Sequence, residues 1–185
     1  MKRFSAPCLA ALISLAGANA WADEAGYAVA PSDIKTQLDG YLFDAARRGD
    51  TAMLAEFISS GYDLDRADGK GYTALILAAY NGRKAAVTQL INAGADVCAE
   101  DKRGNTALLG AIFKGEVMIA RQLMAADCAP NQRNHAGQTP AMYAALFQRA
   151  EILADLRQRG ADMNARDAAG NSVESLARGE FAPQR

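Results

Sequence analysis

The sequence predicts an all-α solenoid of stacked helix–turn–helix units joined by short β-hairpin loops. Three observations carry that expectation. Gly71, Gly104, Gly137 and Gly170 stand 33 residues apart each time, and Thr73, Thr106, Thr139 and Ser172 follow them by two positions. The small residues Ala45, Ala78, Ala111, Ala144 and Ala177 keep the same step. So do Asp68, Asp101, Asn134 and Asp167. A fixed period of this size marks a supersecondary unit that cannot bury its apolar face alone and must stack on its neighbours.

Taken in order, the first element differs from all the others. Lys2 and Arg3 form a positive start, Cys8 to Leu15 is an apolar run, and small residues then sit two apart at Ala18, Ala20 and Ala22. That is the three-part layout of a secretory signal peptide over residues 1–22, with cleavage expected after Ala22 and Ala20 as second choice. The run is too short to cross a bilayer, which needs about 20 apolar residues. Cys8 precedes the apolar run, so it does not read as a lipid-attachment site. Residues 23–31 show no period and read as a flexible lead.

The repeat domain is expected over 32–178. Its first unit, 32–67, lacks the threonine entry and reads as an N-terminal cap. Ser32 is the expected N-cap of a long helix carrying Ile34, Leu38, Leu42 and Ala45 at helical spacing and ending near Gly49. Asp50 then caps a second helix with Met53, Leu54, Phe57 and Ile58 as its buried face, and Gly61 ends it. The unit 68–100 predicts helices near 73–81 and 84–92. The unit 101–133 predicts them near 106–114 and 117–125, and the unit 134–166 near 139–147 and 150–158. The partial unit 167–178 keeps one short helix as a C-terminal cap, and 179–185 reads as a frayed tail. Terminal units of a solenoid are atypical because one face of each has no neighbour. Leu75, Ala78, Val87 and Leu90 are expected to pack on Leu108, Ala111, Ala120 and Leu123 of the next unit.

The stretch Asp68–Cys98 resembles the ankyrin repeat most closely. The ankyrin pattern reads Asp-x-x-Gly-x-Thr-Pro-Leu-His-x-Ala-Ala-x-x-Gly, then Val-x-x-Leu-Leu-x-x-Gly-Ala-Asp-Val-Asn. The resemblance covers residues 40–178. The chain departs from it in places. Ile76, Leu109 and Met142 stand where the family has a histidine that bridges neighbouring loops, so those bridges are expected to be missing. Pro140 alone keeps the proline. Gln148 replaces a turn glycine and Asp127 a helix-ending one.

Composition narrows the function classes. The formal charge is −1, and −3 once residues 1–22 are removed, which argues against a binder relying on phosphate attraction. His135, the only histidine, falls on a predicted hairpin tip with no positioned partner, so no catalytic base is expected. No Cys/His cluster has metal-ligand spacing, and no cofactor or enzymatic activity is expected. Asp68, Asp101 and Asp167 recur at equivalent turns, where such side chains bond the backbone. Beyond the leader, Cys98 and Cys128 could pair in an oxidising compartment. Against that, they lie three residues out of register in adjacent layers about 8–10 Å apart, while a disulfide needs Cα atoms within about 7 Å. Two small apolar fillers are the expectation.

In ankyrin-like arrays partners meet the hairpin tips and the concave face of the inner helices. Carried over by position, that row is Lys70 and Tyr72 with Tyr80, then Lys102, Arg103 and Asn105 with Phe113 and Lys114. It continues through His135 and Gln138 with Phe147, and Arg47 and Arg48 extend it into the first unit. The row is rich in aromatic and basic residues and has no Asp or Glu, and such side chains anchor many interfaces. The expected function is a non-catalytic protein-binding module, periplasmic or secreted, whose partner is acidic and partly apolar. Resemblance to periplasmic ankyrin proteins implies two alternatives. One is an oxidative-stress accessory factor beside a redox enzyme such as a catalase. The other is an immunity or inhibitor partner of an exported enzyme.

Overall fold

The computed structural model describes residues 31–126 and 128–182. The expected signal segment, the lead up to residue 30, Asp127 and residues 183–185 lie outside the described residues. The described chain forms α1 (Pro31–Arg48), α2 (Thr51–Ser59), α3 (Ala74–Tyr80), α4 (Lys84–Asn92), α5 (Ala107–Lys114), α6 (Val117–Ala125), α7 (Pro140–Leu146), α8 (Ala150–Gln158) and α9 (Val173–Ala177). An inner layer stacks α1, α3, α5, α7 and α9 in order, and an outer layer stacks α2, α4, α6 and α8.

Small and branched apolar residues at fixed positions make the stack. Ala45, Ala78, Ala111 and Ala144 are fully buried between inner helices, where a methyl group lets neighbouring backbones approach. Phe57, Leu90, Leu123 and Leu156 hold the equivalent outer position, all nearly inaccessible. Burying each such side chain contributes about 1.5–3 kcal/mol. Leu75, Ala78, Val87 and Leu90 are buried, as are Leu108, Ala111, Ala120 and Leu123 of the next unit. Ala177 keeps the register but is exposed, because no tenth helix covers it among the described residues.

The hairpins show why glycine recurs. In each, an amide-to-carbonyl bond closes the turn: Asp68 N to Tyr72 O, Asp101 N to Asn105 O, Asn134 N to Gln138 O and Asp167 N to Asn171 O, at 2.9–3.0 Å. Only isolated bridges remain of the expected β-hairpins, at Ala67–Thr73 and Arg166–Ser172. Successive tips are joined by Lys102 N to Lys70 O, His135 N to Arg103 O and Ala168 N to Ala136 O. A Cβ on Gly71, Gly104 or Gly137 would lie 2.7, 2.8 or 2.9 Å from those same amide nitrogens. Their φ angles of 84°, 76° and 73° add a conformational reason to the steric one. Thr73, Thr139 and Ser172 accept the amides of Ile76, Met142 and Ser175 as N-caps. Thr106 makes no such side-chain bond.

The cap unit departs from expectation at its outer end. Ser32 lies inside α1, which starts at Pro31, so it is not the N-cap. Met53, expected on the buried face of α2, is 40% exposed, and Ile34 and Leu38 on α1 are 48% and 37% exposed. Position 41 corresponds to the start of α3, so α1 extends ten residues, about 15 Å at 1.5 Å per residue, beyond the matching end of α3, with Asp39 near the base of that extension still packed against Tyr62 and Arg66. At the other end the tail is not frayed throughout. Ala182 N donates to Asn171 Oδ1 at 2.7 Å, which folds residues 179–182 back on the last hairpin.

Apolar Ile76, Leu109 and Met142 are buried, and other groups span the repeats in place of the family histidine. Arg83 donates to Arg47 O, Arg149 to Ile112 O and Phe113 O, and Arg159 to Met124 O. Each guanidinium sits on the carbonyl end of a helix in the preceding unit, where a cation is favoured by the exposed carbonyls.

The cysteines overturn the expectation of two unlinked fillers. Cys98 and Cys128 form a disulfide with Cα atoms 5.7 Å apart. The layer spacing applies to helix axes, whereas both cysteines lie in loops that leave those axes. Ser60 and Ala93 end their helices still in helical conformation, but Ala126, closing α6, is extended at ψ 129°. That departure brings Cys128 back across to Cys98. Gln132 supports the crossing by donating to Cys98 O and Glu100 Oε1. Closing a loop with 30 residues of sequence separation constrains the unfolded chain by about 3.5 kcal/mol.

Among the described residues Gln148 is the only non-glycine with positive φ, at 55°, where Gly49, Gly82 and Gly115 stand in the other units. A left-handed side-chain residue costs about 1–2 kcal/mol, part of which glycine returns as unfolded-chain entropy. Gln148→Gly is therefore expected to stabilise the fold by about 0.5–1 kcal/mol, read as a higher urea midpoint with an unchanged slope.

One buried carboxylate ties α1 to the loop that follows α2 within the first unit. Asp39 accepts two bonds from the Arg66 guanidinium and one from the Tyr62 hydroxyl at 2.9 Å. The Arg66 hydrogen bonds hold the Asp39 carboxyl below its usual range, and burial only partly opposes them. A carboxyl with a lowered folded pKa contributes stability above its unfolded pKa of about 3.9 and loses it as pH falls through the folded value. Asp39→Asn is expected to lower the melting temperature at pH 7, with the gap from the parent protein closing in the acid range below pH 4. A gap that persists unchanged at acid pH would contradict this assignment.

Candidate protein-binding surface

The surface grows out of the inner-helix C-termini and the hairpin tips. Tyr80 ends α3 and Phe113 sits one residue before the end of α5, on corresponding positions of adjacent units. Their rings stack at 5.9 Å and 10°, and Phe113 meets Phe147 edge-on at 4.8 Å. Tyr143 closes the column against Phe147 at 5.5 Å. Tyr80 and Phe113 remain 43% and 40% exposed, so this column is not core. Lys114 Nζ lies 5.2 Å from the Tyr80 ring centroid, a cation–π distance.

The tips carry Lys70, Lys102, Arg103 and His135, all exposed. Carboxylates are close to them but already engaged. Asp68 Oδ1 accepts the amides of Lys70 and Tyr72, and Asp101 Oδ1 accepts those of Arg103 and Asn105. Asn134 and Asp167 repeat the arrangement. Among the described residues no carboxylate forms an ion pair with Lys70, Lys102, Arg103 or Lys114. At the third tip Lys102 and Arg103 outnumber Asp101, so the local charge there is positive on a chain of net negative charge.

Several expected contact residues also make contacts within the chain. Arg47 pairs with Asp44 at 2.9 Å and Asp68 at 3.5 Å, so its charge is largely answered within the chain. Arg48 lies exposed beside it. Asn105 is a hub. Its Nδ2 donates to Asp101 Oδ2, and its Oδ1 accepts from Asn134 Nδ2 at 3.0 Å and the Tyr143 hydroxyl at 3.2 Å. Gln138 Oε1 accepts from Asn134, which holds that side chain against the hairpin. Tyr72 is half-buried and packs on the core. Tyr143 was missed by the sequence reading. Burial pushes its phenol above the ordinary range, and its one signal was a tyrosine in the column that holds Leu77 and Gly110 in the preceding units.

A groove of about 330 Å³ runs between these groups, with Ile76, Leu77 and Leu109 as floor and Tyr80, Phe113, Arg103 and Tyr143 as walls. His135 stands beside a shallower recess with Lys102 and Arg103. Among the described residues no group of three or more His, Cys, Asp or Glu side chains is placed to hold a metal ion. No described helix is long and apolar enough to cross a membrane.

Residues 42–134 and 86–167 match the family described as "Ankyrin repeats (3 copies)". Together the two spans cover well over half of the chain, and the chain belongs to the ankyrin-repeat family. No curated protein matches it. Ankyrin repeats are protein-interaction modules, and a stack of helix pairs presents a continuous face suited to that use.

Proposed function

We propose that this chain is a non-catalytic, exported protein-binding module whose partner meets the hairpin tips and the aromatic column. The observation that carries this reading is the exposed Tyr80–Phe113 stack beside Lys70, Lys102, Arg103 and Lys114, which among the described residues form no ion pair. Exposed aromatics in register across two units are costly to leave in water and supply the anchors that dominate interface energies. The unpaired cations favour an acidic partner and speed encounter with it. Tyr80→Ala combined with Phe113→Ala is expected to abolish co-purification of the partner captured by the parent protein, with the far-UV helical signal unchanged. Retention of the same partner by the double variant would sink this reading.

Export is supported by the charged and apolar start of the chain and by the Cys98–Cys128 disulfide, which belongs to oxidising compartments. A partner in that compartment, such as an exported enzyme held or restrained by the solenoid, fits the same surface. Expressed at full length with its own leader, the purified protein is expected to begin at Asp23 and to gain the mass of two hydrogens only after reduction. Intact mass spectrometry reads both. A chain still carrying residues 1–22, with both thiols free, would count against export.

A further inference from the structure

Gly110 stands in the middle of α5, where glycine is disfavoured relative to alanine. The two reasons that hold for the turn glycines are absent here, as they are at Gly40 and Gly69, but Gly110 alone of these three lines a groove. Its backbone is helical, outside the set of positive-φ residues. Nor does a neighbour press on it: an added Cβ would meet Tyr80 Cδ2 at 3.7 Å, Tyr80 Cβ at 3.8 Å and Tyr80 Cα at 4.0 Å, all ordinary contact distances. The same column carries Leu77 in the unit before and Tyr143 in the unit after. The vacant side-chain volume opens into the groove of about 330 Å³ between Tyr80, Phe113 and Tyr143.

We propose that Gly110 holds this slot open for one apolar side chain of the partner, presented on a segment with acidic residues on either side. This rests on the protein-binding reading above and adds the chemistry of what is read. The floor of Ile76, Leu77 and Leu109 is apolar. Tyr80 and Phe113, stacked on each other, both line the slot, and their exposed aromatic surface suits a leucine- or phenylalanine-sized group. Arg103 lines the slot itself, Lys102 flanks it on the same tip, and Lys114 caps the Tyr80 ring at the other end. Asp101 also lines the slot and keeps its negative charge, although its oxygens accept the amides of Arg103 and Asn105 and the Asn105 side chain. Lys102, Arg103 and Lys114 outnumber it, so the charge around the slot is net positive and selects carboxylates around the apolar group.

The test combines a stability measurement with a peptide selection. Gly110→Ala is expected to raise the melting temperature by roughly 2–4 °C, since it restores helix propensity without a clash. A lowered melting temperature would mean that packing needs the glycine and would overturn the proposal. A displayed library of random peptides is then selected on the parent protein. Enriched peptides are expected to carry an apolar residue between acidic ones. A synthetic copy should bind Gly110→Leu, which fills the slot, about tenfold more weakly, and Gly110→Ala to an intermediate degree. Should Gly110→Leu fail to fold, Gly110→Ala alone carries the comparison. Equal binding to the parent and to Gly110→Ala, or enriched peptides lacking acidic residues, overturns the slot. Selection of no peptide overturns it as well. Partner capture through Tyr80 and Phe113 would survive each of these results if the broader reading is right, so the two failures are distinguishable.

Discussion

The stack depends on one repeated backbone contact. At each joint a tip amide donates to the carbonyl of the tip before it, and the glycine beside that carbonyl has no Cβ to keep the two apart. A side chain there would press on main-chain atoms, which cannot rotate away as a flexible side chain would. The rise between units is thereby fixed at the tips, while the buried alanines set it between the helices. Both ends of each unit must agree on the same spacing, so the period in the sequence is strict.

Where the family histidine is missing, the chain spans its repeats by other means. Arginines at the starts of α4 and α8 reach back to the carbonyl ends of α1 and α5. A helix end leaves carbonyls without intrahelical partners, and a guanidinium offers several donors in a planar fork. The disulfide encloses both helices of the third unit and ties the loop before α5 to the loop after α6. It falls where α6 ends in extended rather than helical conformation, so covalent closure stands at the joint whose helix ending departs most from the repeat.

The same geometry explains why the chain offers a face instead of an enclosed site. Each unit contributes two tip positions and one helix-end position to a shared row, and nothing folds over them among the described residues. The turn aspartates are oriented toward the hairpin amides rather than toward the basic tip residues, and at the third tip Lys102 and Arg103 outnumber Asp101 although acidic residues outnumber basic ones in the whole chain. Tip chemistry can therefore vary with little effect on the fold, because it is carried by side chains that the stack does not use.

The period, the inner and outer helices and the carboxylate-stabilised turns were legible in the sequence, since each depends on spacing along one chain. Asp50 as a cap and the glycine turns are local in the same sense. Three things required the tertiary structure. The approach of Cys98 to Cys128 depends on how a loop leaves α6, which helix-layer spacing does not describe. The engagement of Arg47 and Asn105 depends on partners some 20 to 40 residues away, as with Asp68 and Tyr143. The meaning of Gly110 depends on what surrounds it: in sequence it is a weak helix residue, and only neighbouring units show that the missing side chain leaves an opening. Spacing along the chain is enough to set a repeating backbone, whereas side chains meeting across repeats answer to distances that the order of residues does not contain.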